Sequence, residues 1–152
     1  MSENKKNNNE KPELSDVRIV ELPPATVASI QFHCDEPERK AIEAIDKFAH
    51  NINLRKVKPD TRHYGFNNPN PSQDKSTGEP DHGYEIWVTV PDDIDIVLPI
   101  EKKIFKGGLY AAHVIKMGDF HEWGWLWDWV QYSEIYDYDC RPPYAMGGCL
   151  EE

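Results

Sequence analysis

Apolar positions along the chain change their period several times, and each change marks an element. Residues 17–22 and 26–33 read as two strands, split by Pro23-Pro24, a pair that cannot donate to a ladder and favours a turn. From Asp35 the period lengthens. Ala41, Ile42, Ile45, Phe48 and Ala49 fall on one helical face, with Lys40, Glu43 and Lys47 outside it. Asp35, with Glu38 three residues on, reads as the capping box that opens this helix. Residues 63–66 form a short candidate strand, and 67–81 (NNPNPSQDKSTGEPD) a turn-rich excursion. Residues 84–90 (YEIWVTV), ended by Pro91, give the clearest strand of all.

The second half repeats the plan: a strand over 100–105, a turn at Lys106-Gly107-Gly108 and a strand over 109–117. A helix opens at Asp119 with Glu122 three residues on, and candidate closing strands cover 136–138 and 145–151. A shift of 84 residues aligns the halves without a gap from turn to helix. Pro23-Pro24 falls on Gly107-Gly108, Asp35 on Asp119, Glu38 on Glu122, and Ile42, Ile45 and Phe48 on Leu126, Trp129 and Tyr132. The expected fold class is α+β, with duplicated β-β-α-β-β units over about 17–90 and 100–152. Each unit has one covered and one open sheet face, and two open faces related by a pseudo-twofold can enclose a groove.

Residues 1–15 are rich in Asn, Lys and Glu and lack an apolar pattern, so they are expected to be a disordered tail before a domain over 16–152. That N-terminus has no apolar secretory core, and no run approaches the roughly 20 apolar residues that span a bilayer. A cytoplasmic protein with no membrane association is expected. The net charge is −10, of which the first sixteen residues carry −1 and the rest −9. Such a field repels phosphate backbones, which argues against direct nucleic-acid binding, and it either draws cations to a cleft or serves solubility alone. Cys34, Cys140 and Cys149 form no CxxC, the six histidines show no metal-ligand spacing, and no phosphate-binding or cofactor motif occurs. Neither a metal nor a cofactor is expected.

Aromatic residues change this picture. Five Trp and seven Tyr accompany a hydrophobic content of only 39%. Alternation along 84–90 turns Tyr84, Ile86, Val88 and Val90 towards the helices, and Glu85, Trp87 and Thr89 the other way. Either that second face is solvated, or a carboxylate and an indole stand together in a groove suited to a cation. In HEWGWLWDWVQY, Trp125, Leu126, Trp129 and Tyr132 make the inward stripe. Trp123 and Trp127 lie on its flank, as pocket wall or as partly exposed surface.

YEIWVTVPDD, IFKGGLYAAHVIKMGDFHEWGWLWDWV and the late CLEE together resemble the GyrI-like small-molecule-binding domain family, which includes the effector-binding domains of Rob- and BmrR-type regulators. The resemblance covers nearly everything after Val17. It implies a tandem SHS2-like fold, an antiparallel sheet with two helices, and a ligand groove at the pseudo-twofold seam. It also implies a lipophilic, cationic small molecule as partner, held by aromatics and a buried glutamate. The family's glutamate near the end of the last strand matches Glu151, with Glu85 its rival. The expected ligand-binding set is therefore Glu85, Trp87, Tyr84, Trp123, Trp127, Tyr110 and Glu151. Some members resemble hydrolases of cyclopropanoid natural products. On that alternative Glu85 or Glu151 activates water, and Tyr110 or Tyr84 donates to the developing oxyanion. A third reading is an acidic protein-interaction inhibitor module.

Overall fold

Pro23-Pro24 divides an extended segment into β1 (Arg18–Leu22) and β2 (Ala25–Phe32) in the computed structural model, which describes residues 14–71, 76, 78, 80–139 and 148–152. The chain continues through α1 (Pro37–Asn51), the short α2 (Leu54–Val57), β3 (His63–Asn67), β4 (Tyr84–Thr89), β5 (Glu101–Phe105), β6 (Gly108–Ala112) and α3 (Glu122–Gln131). The architecture is α+β with antiparallel sheets, in two compact units. The expected tail lies outside the described residues except for its last two, and so do Cys140 and residues 145–147 of the expected 145–151 strand.

One unit holds residues 23–107 and 148–152, with a four-stranded sheet in the order β3-β4-β2-β5. Every pairing is antiparallel: Ser29 faces Trp87 across one ladder and Glu101 across the other, and Tyr64 faces Trp87 from β3. Helix α1 covers one face of β2 and β4. Ala41 and Ile45 on the helix pack with Ala28, Ile30, Ile86, Val88 and Val90, while Phe48 and Ala49 border the cluster. Ile42, expected in the stripe, is 48% exposed, because a single sheet face leaves that flank of the helix uncovered.

The capping boxes do not form. Helix α1 begins two residues after Asp35, with Pro37 in its first turn, where the missing N–H costs no hydrogen bond, and Glu36 precedes it in the left-handed region. Helix α3 likewise begins at Glu122, not Asp119. Residues 136–138 are not a strand. The last residues instead reach β3, where Glu151 and Gly65 exchange backbone hydrogen bonds of 2.7 and 2.8 Å.

The other unit holds residues 14–22 and 108–139, with β1 and β6 paired from Arg18–Ala112 to Leu22–Gly108, beside α3. Strand β6 was expected to run to residue 117. It ends at Ala112 because β1 offers no partner beyond Arg18, and Val114 and Met117 stand in solvent.

Candidate functional site

Strand β4 is buried on both faces, and its alternation sorts two kinds of chemistry. Tyr84, Ile86, Val88 and Val90 belong to the core beneath α1. Glu85, Trp87 and Thr89 point the opposite way, beside Ser29 and Gln31 of β2 and Tyr64 and Phe66 of β3. Strand β5 adds Lys103 and Phe105 to this second face. Tyr64, Phe66, Trp87 and Phe105 there form a continuous aromatic cluster: Phe66 meets Trp87 edge-on at 4.9 Å, and Phe105 touches both Trp87 and Tyr64, at 5.6 and 5.5 Å. None of the four rings is more than 6% exposed.

Glu85 sits against this cluster at 2% exposure. An ionised carboxylate so far from water requires partners for both oxygens. The Trp87 indole N–H donates to Oε2 at 2.7 Å, and Lys103 Nζ donates to Oε1 at 2.9 Å. Trp87 lies two residues along the same strand, so the pleat brings indole and carboxylate together on one face. Lys103 comes from the edge strand on the far side of β2 and remains partly open to solvent. Beside the pair is a cleft of about 400 Å³ lined by Ser29, Gln31, Asn68, Glu85, Pro99, Glu101 and Lys103. Its two carboxylates and one ammonium leave it formally at −1. Gln31 Nε2 donates to Asn68 O at 2.7 Å, fixing one wall. Gly83 makes that wall possible, because a Cβ there would lie 2.1 Å from Asn68 O.

Glu151, the rival carboxylate, lies on the other face. Its backbone partner Gly65 is also the partner of Ile86, so the Glu151 side chain emerges on the helix side, where the Tyr84 hydroxyl donates to Oε2 at 2.8 Å. Gly65 leaves room for that hydroxyl, since a Cβ would come within 2.2 Å of it. Glu151 is exposed. Burial, and then the neighbouring Glu151 charge, push the Tyr84 hydroxyl well above its ordinary range. Close by, His82 contacts Glu38 through Nε2 and Asp81 through Nδ1, and the bond to Glu38 raises its pKa. Tyr84 and Glu151 thus form one pair, and Glu85 with Trp87 another, on opposite sides of the sheet.

Tyr110, Trp123 and Trp127 belong to the other unit. Tyr110 is half-buried on β6 opposite Val20. Trp123 is half-buried on α3, and Trp127 is 42% exposed with its ring against Tyr138 at 4.9 Å. His113 in that unit places Nε2 2.9 Å from Glu122 Oε1 and Nδ1 3.1 Å from Asp16 Oδ1, the latter without hydrogen-bond geometry.

Sequence reasoning missed Lys103, Glu101 and the other walls of the cleft. A signal was present: in the strand 100–105, Glu101, Lys103 and Phe105 alternate onto one face, so a lysine between a glutamate and a phenylalanine was readable. Among the described residues, no group of three or more His, Cys, Asp or Glu side chains converges to hold a metal, and no helix is long and apolar enough to cross a membrane.

An antiparallel α+β scaffold with a buried aromatic cluster fits the class of GyrI-like effector-binding domains, which take small molecules. Residues 18–152 match the family model described as integron-associated effector binding protein, and the chain belongs to that family. No curated protein matches the chain.

Proposed function

We propose that this protein binds a bulky aromatic molecule carrying a positive charge, and that Glu85 is the group that neutralises it. The observation carrying this reading is the state of Glu85: a carboxylate 2% exposed, walled by rings, already held by an ammonium, and bordering a cleft. Maintaining a buried charge costs several kcal/mol unless a cation answers it. A ligand cation entering the cleft meets a carboxylate already desolvated and oriented by Trp87, so the cost of preparing it is met in the folded protein. Trp87 itself is fully covered, and its role in this reading is to hold the carboxylate. The formal charge of the cleft, −1, and of the whole chain, −10, both favour a cation.

The pairing of the strands supports a duplicated ancestry for this scaffold. Moving the pair Ala25–Phe105 by the 84-residue shift, up for one partner and down for the other, gives Leu109–Glu21, which is a pair of the β1–β6 ladder.

The test is a titration with a cationic rhodamine, followed through tryptophan emission and repeated on Glu85→Gln. Saturable binding that weakens at least tenfold in the variant is expected. Equal affinity in both proteins would remove Glu85 from the site.

A further inference from the structure

We infer that Lys103 is a built-in competitor for the ligand: a tethered cation that occupies Glu85 in the empty protein and crosses to Glu101 when an organic cation enters. This rests on the reading of Glu85 given above and adds a residue that sets both the affinity and the charge requirement of the site.

Three observations carry it. Lys103 Nζ lies 2.9 Å from Glu85 Oε1, so the position a ligand cation would take is already filled by an ammonium of this chain. Lys103 is not locked there. It approaches from β5, an edge strand, and its side chain is 24% exposed, whereas Glu85 is 2% exposed, so the lysine can withdraw and the carboxylate cannot. A second acceptor stands ready: Glu101 is two residues along the same strand, therefore on the same face, is exposed, and lines the same cleft. Transfer of the ammonium from Glu85 to Glu101 keeps it paired while it frees the buried carboxylate.

The device has a thermodynamic consequence. A protein whose binding-competent form is a minor fraction loses apparent affinity by that fraction. A neutral molecule cannot replace an ammonium on a buried carboxylate, so it does not open the pair. Lys103 thereby rejects uncharged aromatics as well as weakening the binding of cations.

The experiment is a double-mutant cycle on Lys103→Met and Glu101→Gln, titrated with the same cationic rhodamine and with a neutral, non-ionisable relative of similar shape. Lys103→Met is expected to tighten the cation about tenfold or more, since the competitor is gone. Glu101→Gln is expected to weaken it about threefold to tenfold in the wild-type background, and to have little effect when Lys103 is already Met. A Glu101 effect of equal size in both backgrounds means that Glu101 attracts the ligand directly, and overturns the transfer. Unchanged or weaker cation binding in Lys103→Met overturns the competitor role. Tighter binding of the neutral relative by the same factor shows a steric block, and does so too. Should the Met variant fail to fold, Lys103→Gln keeps a donor towards Glu85 without the charge and gives the same comparison. Glu85→Gln separates the levels: if it binds as the wild type does, the site reading has failed, whereas weakened binding there with no gain in Lys103→Met sinks only the competitor.

Discussion

Glu85→Ala tests the energetic weight of the buried pair. The substitution removes the only partner that the Trp87 indole N–H has among the described residues, on a residue with no exposure at all. A buried donor left unsatisfied costs about 1–3 kcal/mol. It also strips Lys103 of its carboxylate. Breaking a fully buried ion pair costs about 3–5 kcal/mol, but Lys103 is 24% exposed and can rehydrate, so a remainder of about 1 kcal/mol is appropriate. The expected total is about 2–4 kcal/mol. Glu85→Gln retains an oxygen for the indole and loses only the charge, for about 1–2 kcal/mol. The pair Glu85→Leu with Lys103→Met removes both charges and leaves the indole alone unsatisfied, so it reads that one cost of about 1–3 kcal/mol. Urea denaturation followed by tryptophan emission measures all three. A loss below about 1 kcal/mol in Glu85→Ala, or equal losses in the Ala and Gln variants, would refute the account.

Two further outcomes follow from the helix side of that sheet and from the neck of the cleft. The pKa of His82 is raised, chiefly by its bond to Glu38, so the folded state holds that proton more tightly than the unfolded chain, whose value is near 6.5. Its stabilising effect is complete below about pH 6.5 and is lost as pH rises through the higher folded value. Urea midpoints should therefore fall from about pH 6.5 upward, and His82→Gln should flatten that decline. Gly83→Ala forces a Cβ to within 2.1 Å of Asn68 O, a backbone atom that cannot swing aside. Thermal melting should register a loss of about 1–3 kcal/mol, and cation binding should weaken with it because Asn68 lines the cleft.

How far these features were legible in the sequence depends on the range of the interaction that fixes them. Period two along residues 84–90 correctly separated Glu85 and Trp87 from Tyr84 and Ile86, because alternation is a property of the strand itself. The helix face formed by Ala41, Ile45 and Phe48 was equally readable, whereas the exposure of Ile42 depends on the width of the sheet opposite. Helix starts were misread because Asp-x-x-Glu is a local pattern that yielded to Pro37 in one half and to a later first turn in the other. Helix α2, four residues long, carries no periodic signal at all. The early end of β6 and the path of residues 148–152 to β3 are decided by partners distant in sequence, which no window of residues contains.

The choice between Glu85 and Glu151 belongs to that last kind, and one variant tests it from two sides. Pairing with Gly65 puts Glu151 on the helix face, exposed and bound by the Tyr84 hydroxyl, away from Glu85. Burial is the larger cause that raises Tyr84, and the Glu151 charge adds to it. Glu151→Gln should therefore let Tyr84 ionise earlier than in the wild type, yet still later than a free tyrosine, whose value is about 10. A raised tyrosine pKa contributes stability that is complete below about pH 10 and is lost as pH rises through the higher folded value, so the variant, whose folded value is lower, should show a smaller alkaline decline than the wild type. Difference absorbance of the tyrosinate band from pH 9 upward follows the first effect, and Tyr84→Phe assigns the band. Affinity for the cationic rhodamine should be unchanged in Glu151→Gln. Loss of dye binding there, with Glu85→Gln still binding, would move the charge-neutralising role to the opposite face of the sheet.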